Sequence, residues 1–391
     1  MYIPYGRQNI SEQDIEAVVA VLRSDYLTQG PVVPQFEEAV ANYCGAKHAL
    51  AVNSATSALH IACLALGVGP GDIVWTTPIS FVASSNCALY CGAEVDFVDI
   101  DAVTYNMSVS ALKEKLIKAE ISGHLPKVVI PVHLCGQSCD MAAINALSKK
   151  YGFRIIEDAS HAIGGKYQGQ PVGNCAYSDI TVFSFHPVKI ITTGEGGMAI
   201  SNDKDLAAKM ARLRSHGITR DVHSMENEPD GSWYYEQLEL GYNFRMTDMQ
   251  AALGLSQFGK LDAFVAERHR LASRYDDMLA ILPVTRPFQA ADTYSAYHLY
   301  VVRMKLDKST SRRETFEHMK ASGIGVNLHY IPIYRHPHYA RTGRYDLNDF
   351  PEAEKYYSEA ITIPLFPGLT EPQQDEVIKY FAAPIGFQTL F

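Results

Sequence analysis

The sequence has no uninterrupted apolar run near the ~20 residues that a bilayer-spanning helix needs, so integral membrane insertion is not expected. Basic residues are outnumbered: 34 Lys and Arg face 43 Asp and Glu, a formal charge of −9, and no long basic run interrupts the chain. That balance argues against nucleic acid as the chief partner, although an anionic small molecule is not excluded, because local donors at helix ends decide its binding. The opening segment MYIPYGRQNISEQDIEAVVAVLRSDYL lacks the basic start and apolar core of a signal peptide, and a cytoplasmic location is the expectation. Cysteines number only seven, at 44, 63, 87, 91, 135, 139 and 175. The count is odd and the spacing is not that of a zinc ribbon. The pairs Cys87 and Cys91, and Cys135 and Cys139, have no His at the usual distance, so reduced thiols and no metal are expected. There is no internal repeat and no low-complexity tract.

What is present is a chain of 391 residues, more than one core can usually hold, so a large and a small part are expected. Strand-like runs near 48–52, 73–76, 95–98, 127–132, 153–156, 180–184 and 198–200 alternate with helical patterns, which predicts a mainly parallel sheet. An amphipathic helix is expected to start near Ser11. Beyond about 260, the helical AFVAERHRLASRYDDML leads to strands around 297–304 and 325–331 and a last helix near 371–381. The division expected is 1–260 and 261–391. The polar, turn-rich segment 217–237 reads as a mobile excursion near a site.

Three features point to chemistry. In TVFSFHPVKIITTGEGG, residues 181–197, Lys189 lies between an aromatic-rich strand and a Gly-rich turn. Lysine can condense with an aldehyde cofactor such as pyridoxal phosphate when burial frees its amine, but alone it reads as a surface lysine. In FRIIEDASHAIGG, Asp158 ends a short buried strand, where open α/β sheets form binding crevices. It reads either as an N-cap or as the carboxylate that keeps a pyridinium nitrogen protonated. In NSATSALHIACLALG, residues 53–67, the small hydroxylic residues Ser54, Thr56 and Ser57 open a helix. They suit ordinary capping or, with the helix dipole, a phosphate. All three answer one cofactor.

These motifs, with YLTQGPVVPQFEEAVANYCGAKHALAVNSATSALH, TTPISFVASSN, RLRSHG, GYNFRMTDMQAALGLSQ and VNLHYIPIY, span nearly the whole chain, and together they resemble the DegT family of sugar aminotransferases. The resemblance implies an α/β fold of the pyridoxal-phosphate-dependent transferase type I (aspartate aminotransferase-like) class, with a mainly parallel large domain and a smaller C-terminal α/β domain. It makes Lys189 the Schiff-base lysine and proton shuttle, and Asp158 the pyridinium partner. It assigns the phosphate to the backbone of Ala55 and Thr56, the hydroxyls of Thr56 and Ser184, and Asn243 of a neighbouring subunit, hence a homodimer with shared sites. Phe81 would stack on the cofactor ring. His161, where many relatives carry Gln, would contact the cofactor's face or phenolic oxygen. Tyr5, Gln29, Arg214, His216 and His329 match positions facing the sugar or the amino donor in relatives.

Within the family, the ITTPISFVA-like, SFHPVK and NFRMTD patterns look most like the UDP-sugar C4 aminotransferases of pseudaminic acid biosynthesis. The activity implied is transfer of an amino group from L-glutamate to C4 of a UDP-linked 4-keto-6-deoxy-N-acetylhexosamine. Rivals are C4 aminotransferases of the perosamine, viosamine or aminoarabinose type. Family dehydratases carry His where this chain has Lys189, and a regulator that uses the fold without turnover would not need both Lys189 and Asp158.

Overall fold

The computed structural model describes residues 2–305 and 312–387. Seven short strands make its main sheet: β1 (His48–Val52), β2 (Ile73–Thr76), β3 (Glu94–Phe97), β4 (Val128–Ile130), β5 (Arg154–Asp158), β6 (Ile180–Ser184) and β7 (Gly197–Ser201). Their order across the sheet is β1-β7-β6-β5-β4-β2-β3. The four pairings from β6 to β3 are parallel, and β7 runs antiparallel to both β6 and β1. Every residue of β4, β6 and β7 is buried, the continuous apolar pattern of strands covered on both faces.

Helices supply the covers. In chain order they are α1 (Glu12–Leu22), α2 (Val32–Cys44), α3 (Ala55–Ala65), α4 (Ala83–Tyr90), α5 (Val109–Ser122), α6 (Met141–Tyr151), α7 (Lys204–Arg214), α8 (Asp248–Phe258) and α9 (Leu261–Leu279). The expected start of α1 is exact in chemistry: Ser11 is its N-cap and forms a capping box with Asp14. Asp14 is fully buried there, and Lys260 pairs with it at 2.6 Å, so the first helix is tied to the end of α8.

A second, antiparallel sheet of β8 (Val284–Thr285), β9 (Tyr300–Met304) and β10 (Ala360–Ile363) is backed by α9 and the helix Glu371–Ala382. Leu271, Tyr275, Tyr300 and Phe381 fill its core, and Ile3 from the N-terminal segment is buried in the same cluster. The run 325–331 is not a strand. It makes single bridges only, Asn327 with Thr362, and the third strand is β10 instead. The segment 217–237 is mostly exposed between 220 and 235 and makes a few bonds within itself. Ile218–Thr219 pairs with Glu236–Gln237, and the Glu236 carboxylate accepts bonds from Glu226 N–H (2.6 Å), Asn227 N–H (3.0 Å) and Tyr234 Oη–H (3.0 Å).

All seven cysteines are free thiols, and no cluster of three or more metal-ligating side chains occurs among the described residues. Among these residues, no helix is long and apolar enough to cross a membrane.

Candidate active site

Strands β2, β5 and β6 run the same way, and β1 joins them because β7 reverses between it and β6. Their carboxyl ends therefore open on one edge of the sheet, where ligands of such sheets bind. A cavity of about 850 Å³ lies there. That is room for a cofactor and a sugar together. A second cavity of about 100 Å³ beside Glu157 and Tyr177 holds space for little more than water.

Lys189 is set on the cavity wall by its own loop. Phe185 N–H bonds Gly196 O (2.9 Å), and Phe185 O accepts from Thr193 N–H (3.0 Å) and Thr192 Oγ1–H (2.9 Å), which closes the loop on itself. Phe185, Ile190 and Ile191 are buried anchors on either side. Burial lowers the Lys189 amine from 10.5 to about 8, against the raising effect of the Asp158 charge.

Asp158, the last residue of β5, is buried. Its Oδ2 accepts from Ser84 Oγ at 2.6 Å, and its Oδ1 accepts from Ser160 Oγ (2.6 Å) and Ser160 N–H (3.1 Å). Three donors from two elements fix the carboxylate's direction. Ser84 itself touches Ser80 Oγ at 2.6 Å.

The anion cradle is the start of α3. Ser54 is the N-cap; its Oγ accepts Ser57 N–H at 3.1 Å, while Ser57 Oγ–H reaches Asn53 Oδ1 at 2.7 Å. The N–H groups of Ala55 and Thr56, first in the helix, have no intrahelical acceptor. They face the same cavity as Ser184. The approach of β7 depends on Gly197, where a Cβ would meet Ala55 N at 2.4 Å. A buried neutral-capable lysine, an oriented carboxylate and open helix N–H groups fit pyridoxal phosphate in its aldehyde, ring nitrogen and phosphate.

Three imidazoles complete the wall, all held neutral. His161 lies well below its usual value through burial and the nearby Lys189 and His329, and His329 falls to about 3 through burial and Lys189. His298 is lowered by burial and then by His161. Cys135 N–H donates to His161 Nδ1 at 3.3 Å, so the ring proton is on Nε2 and points at Tyr330 Oη, 3.2 Å away. His329 Nδ1 bonds Thr362 Oγ1 at 2.8 Å, and its ring lies 5.5 Å from that of Tyr5. Phe81 is 59% exposed on the cavity wall, 6.3 Å from the Tyr330 ring.

The cavity therefore gathers Tyr5, Ala55, Thr56, Phe81, Asp158, His161, Ser184, Lys189 and His329. Gln29, Asn243, Arg214 and His216 do not line it. Arg214 is withdrawn from the substrate contacts: its Nη1 pairs with Glu37 at 2.5 Å and bonds Ala51 O at 2.8 Å, which clamps α7 to α2 and β1. His216 is in a left-handed turn with its N–H on Tyr242 O. Sequence reading missed Ser84, His298 and Tyr330. Only the small hydroxylic run SFVASSN hinted at the first; Tyr330 lies in VNLHYIPIY beside His329, and His298 carries no local signal.

The fold is that of the aspartate aminotransferase type of transferase. The sequence matches the DegT/DnrJ/EryC1/StrS aminotransferase family over residues 8–382. The chain belongs to that family, and it is a pyridoxal-phosphate-dependent sugar aminotransferase. It is 39% identical over 364 residues to the UDP-4-amino-4,6-dideoxy-N-acetyl-beta-L-altrosamine transaminase of Campylobacter jejuni, covering 93% of this chain and 92% of that one. Helicobacter pylori PseC, an aminotransferase of pseudoaminic acid biosynthesis, superposes with a TM-score of 0.89 at 32% identity, over 98% of this chain and 99% of that one. The PLP form of the putative sugar aminotransferase Spr1654 from Streptococcus pneumoniae gives 0.87 at 29% identity, over 98% of both chains.

Proposed function

We propose that this enzyme moves an amino group from L-glutamate to C4 of a UDP-linked 4-keto-6-deoxy-N-acetylhexosamine, the sugar of the pseudaminic acid route, as a cytoplasmic homodimer. The observation that carries the reading is the junction of Lys189, Asp158 and the α3 N-terminus on one cavity; the likeness to the altrosamine transaminase supports the sugar. Pyridoxal phosphate, when bound, supplies an aldehyde and an electron sink. Lys189 would hold it, yield it to the incoming amine of glutamate, and then as a free amine take the proton from the donor's Cα. In the second half the same amine returns a proton at sugar C4.

Asp158, fixed by Ser84 and Ser160, would face the ring nitrogen, and the open N–H groups of Ala55 and Thr56, with Thr56 and Ser184 hydroxyls, would take the phosphate. Phe81 would cover the ring and His161 would present its Nε2–H. Tyr5 and His329 stand at the wall left for sugar or donor. Asn243 and Gln29 would complete the site of a second copy. Leu240, 78% exposed three residues before Asn243, and the exposed Tyr26 and Leu27 before Gln29 give that reading an apolar surface to bury.

A visible spectrum with pyridoxal phosphate, then L-glutamate, then the UDP-4-keto sugar tests it. Glutamate should shift the band to that of the amine form, and the sugar should restore it with release of an amino sugar. Restoration by a GDP-linked 4-keto sugar instead would transfer the enzyme to the perosamine type.

A further inference from the structure

Two neighbouring serines in the first turn of α4 go to different partners. Ser85 Oγ lies 2.9 Å from Val82 O and 2.6 Å from Tyr339 Oη, so it ties α4 to the short helix Pro337–Ala340. Ser84 turns toward Asp158 instead, with its Oγ 2.6 Å from Asp158 Oδ2 and 2.6 Å from Ser80 Oγ. The backbone arranges the serine pair: Ser84 N–H bonds Phe81 O at 3.2 Å, which folds 80–84 into a turn and brings the two hydroxyls together. Ser84 is fully buried and Ser80 is 3% exposed, and Ser80 lines the same cavity as Asp158 and Lys189.

The direction of this chain follows from counting protons. A serine hydroxyl has one to give, and a carboxylate only accepts, so the Ser84 proton goes to Asp158 Oδ2. Ser84 Oγ then accepts from Ser80, whose proton points at Ser84 and away from the cavity. The chain runs one way, from Ser80 to Ser84 to Asp158. Each donated bond polarises the next hydroxyl and strengthens it by about 10–30%. On the other oxygen, Ser160 O–H and N–H both donate to Oδ1. A carboxylate offers about four acceptor positions, and with three of them filled the open one is on Oδ2. Ser84 and whatever Asp158 meets in the cavity therefore share a single oxygen.

We propose that Ser80 is a positioning residue for the ring nitrogen of the cofactor: acting through Ser84, its hydroxyl keeps Asp158 Oδ2 a charged acceptor, so that the ring proton stays on nitrogen. The proposal rests on the reading of Asp158 as the partner of that nitrogen. Without the Ser80 hydroxyl, Ser84 is a weaker donor and the shared oxygen competes harder for the ring proton, which moves from nitrogen toward Oδ2. Ser80 itself needs no contact with the cofactor to do this.

The test is the nitrogen-15 NMR shift of holoenzyme reconstituted with pyridoxal phosphate labelled at the ring nitrogen, all samples at one pH. The wild-type signal should stand at the protonated pyridinium position. Ser84→Ala should move it toward the unprotonated pyridine value, and Ser80→Ala should move it the same way about 10–30% as far. Ser80→Thr, which keeps the hydroxyl, should leave it at the wild-type position, an outcome that a merely structural role for Ser80 would not single out. A signal unmoved in Ser80→Ala while Asp158→Asn moves it, or one moved equally by Ser80→Ala and Ser80→Thr, overturns the proposal. A signal unmoved even in Asp158→Asn shows that Asp158 is not the partner of the ring, and the proposal falls with that reading. A wild-type signal already at the pyridine value overturns it without any variant.

Discussion

Asp158→Asn should make Lys189 more reactive toward the cofactor while making the enzyme inactive in transamination. The Lys189 amine is lowered from 10.5 to about 8 by burial, and Asp158 acts against that shift. At pH 7 a group of pKa 8 is neutral in roughly one molecule in eleven, against roughly one in three thousand at 10.5, a gain of about 300-fold in nucleophile. The sign follows from the reactive species: the neutral amine attacks, so capture rises with pH and levels off above the amine's pKa. Asparagine removes the charge that favours the ammonium form, so the inflection moves below 8. The gain at pH 7 is bounded at about elevenfold, because the amine cannot be more than wholly neutral. Asparagine can still pair with Ser84 and Ser160, which keeps the geometry. The assay is stopped-flow absorbance of apoprotein mixed with pyridoxal phosphate, extrapolated to saturating cofactor so that affinity does not enter. A wild-type inflection at the ordinary lysine value, or a variant inflection above the wild type, would refute the reasoning.

Other consequences follow from single contacts. Ser84→Ala leaves a buried carboxylate oxygen short of a 2.6 Å donor, and should cost about 1.5–3 kcal/mol in urea unfolding along with a fall in kcat. Gly197→Ala places a Cβ against Ala55 N, and overpacking of about 1–3 kcal/mol should weaken retention of pyridoxal phosphate roughly 5- to 150-fold by equilibrium dialysis. Arg214→Ala should cost about 1 kcal/mol of stability through loss of the Glu37 pair, with the KM for the sugar unchanged within about twofold.

The sheet was legible because each strand is a short run with an apolar centre between turns, and because strand ends followed by helix starts mark the binding edge. Lys189, Asp158 and the Ser54 to Ser57 start line one cavity, and each lies beside a strand end or helix start that the sequence marks. β10 was hidden because Ala360 follows directly on the helix Pro351–Glu359 and AITI reads as its continuation. The run 325–331 has the composition of a strand, yet beside β10 it finds only the Asn327 to Thr362 pair. Ser84 meets Asp158 across 74 positions, and Arg214 meets Glu37 across 177. Such pairings arise only in the fold, and for Arg214 the long-range partner replaced the role its motif suggested. In the excursion 217–237, most of residues 220–235 are exposed, while Glu226, Asn227 and Tyr234 bond Glu236, a convergence that polarity alone does not show.

The central claim is that one lysine, Lys189, holds the cofactor. Borohydride reduction of the enzyme loaded with pyridoxal phosphate, followed by peptide mass mapping, tests it most directly. The account predicts a stable cofactor adduct on Lys189 and none in Lys189→Ala. An adduct on another lysine, or a Lys189→Ala enzyme that keeps its turnover, would contradict it.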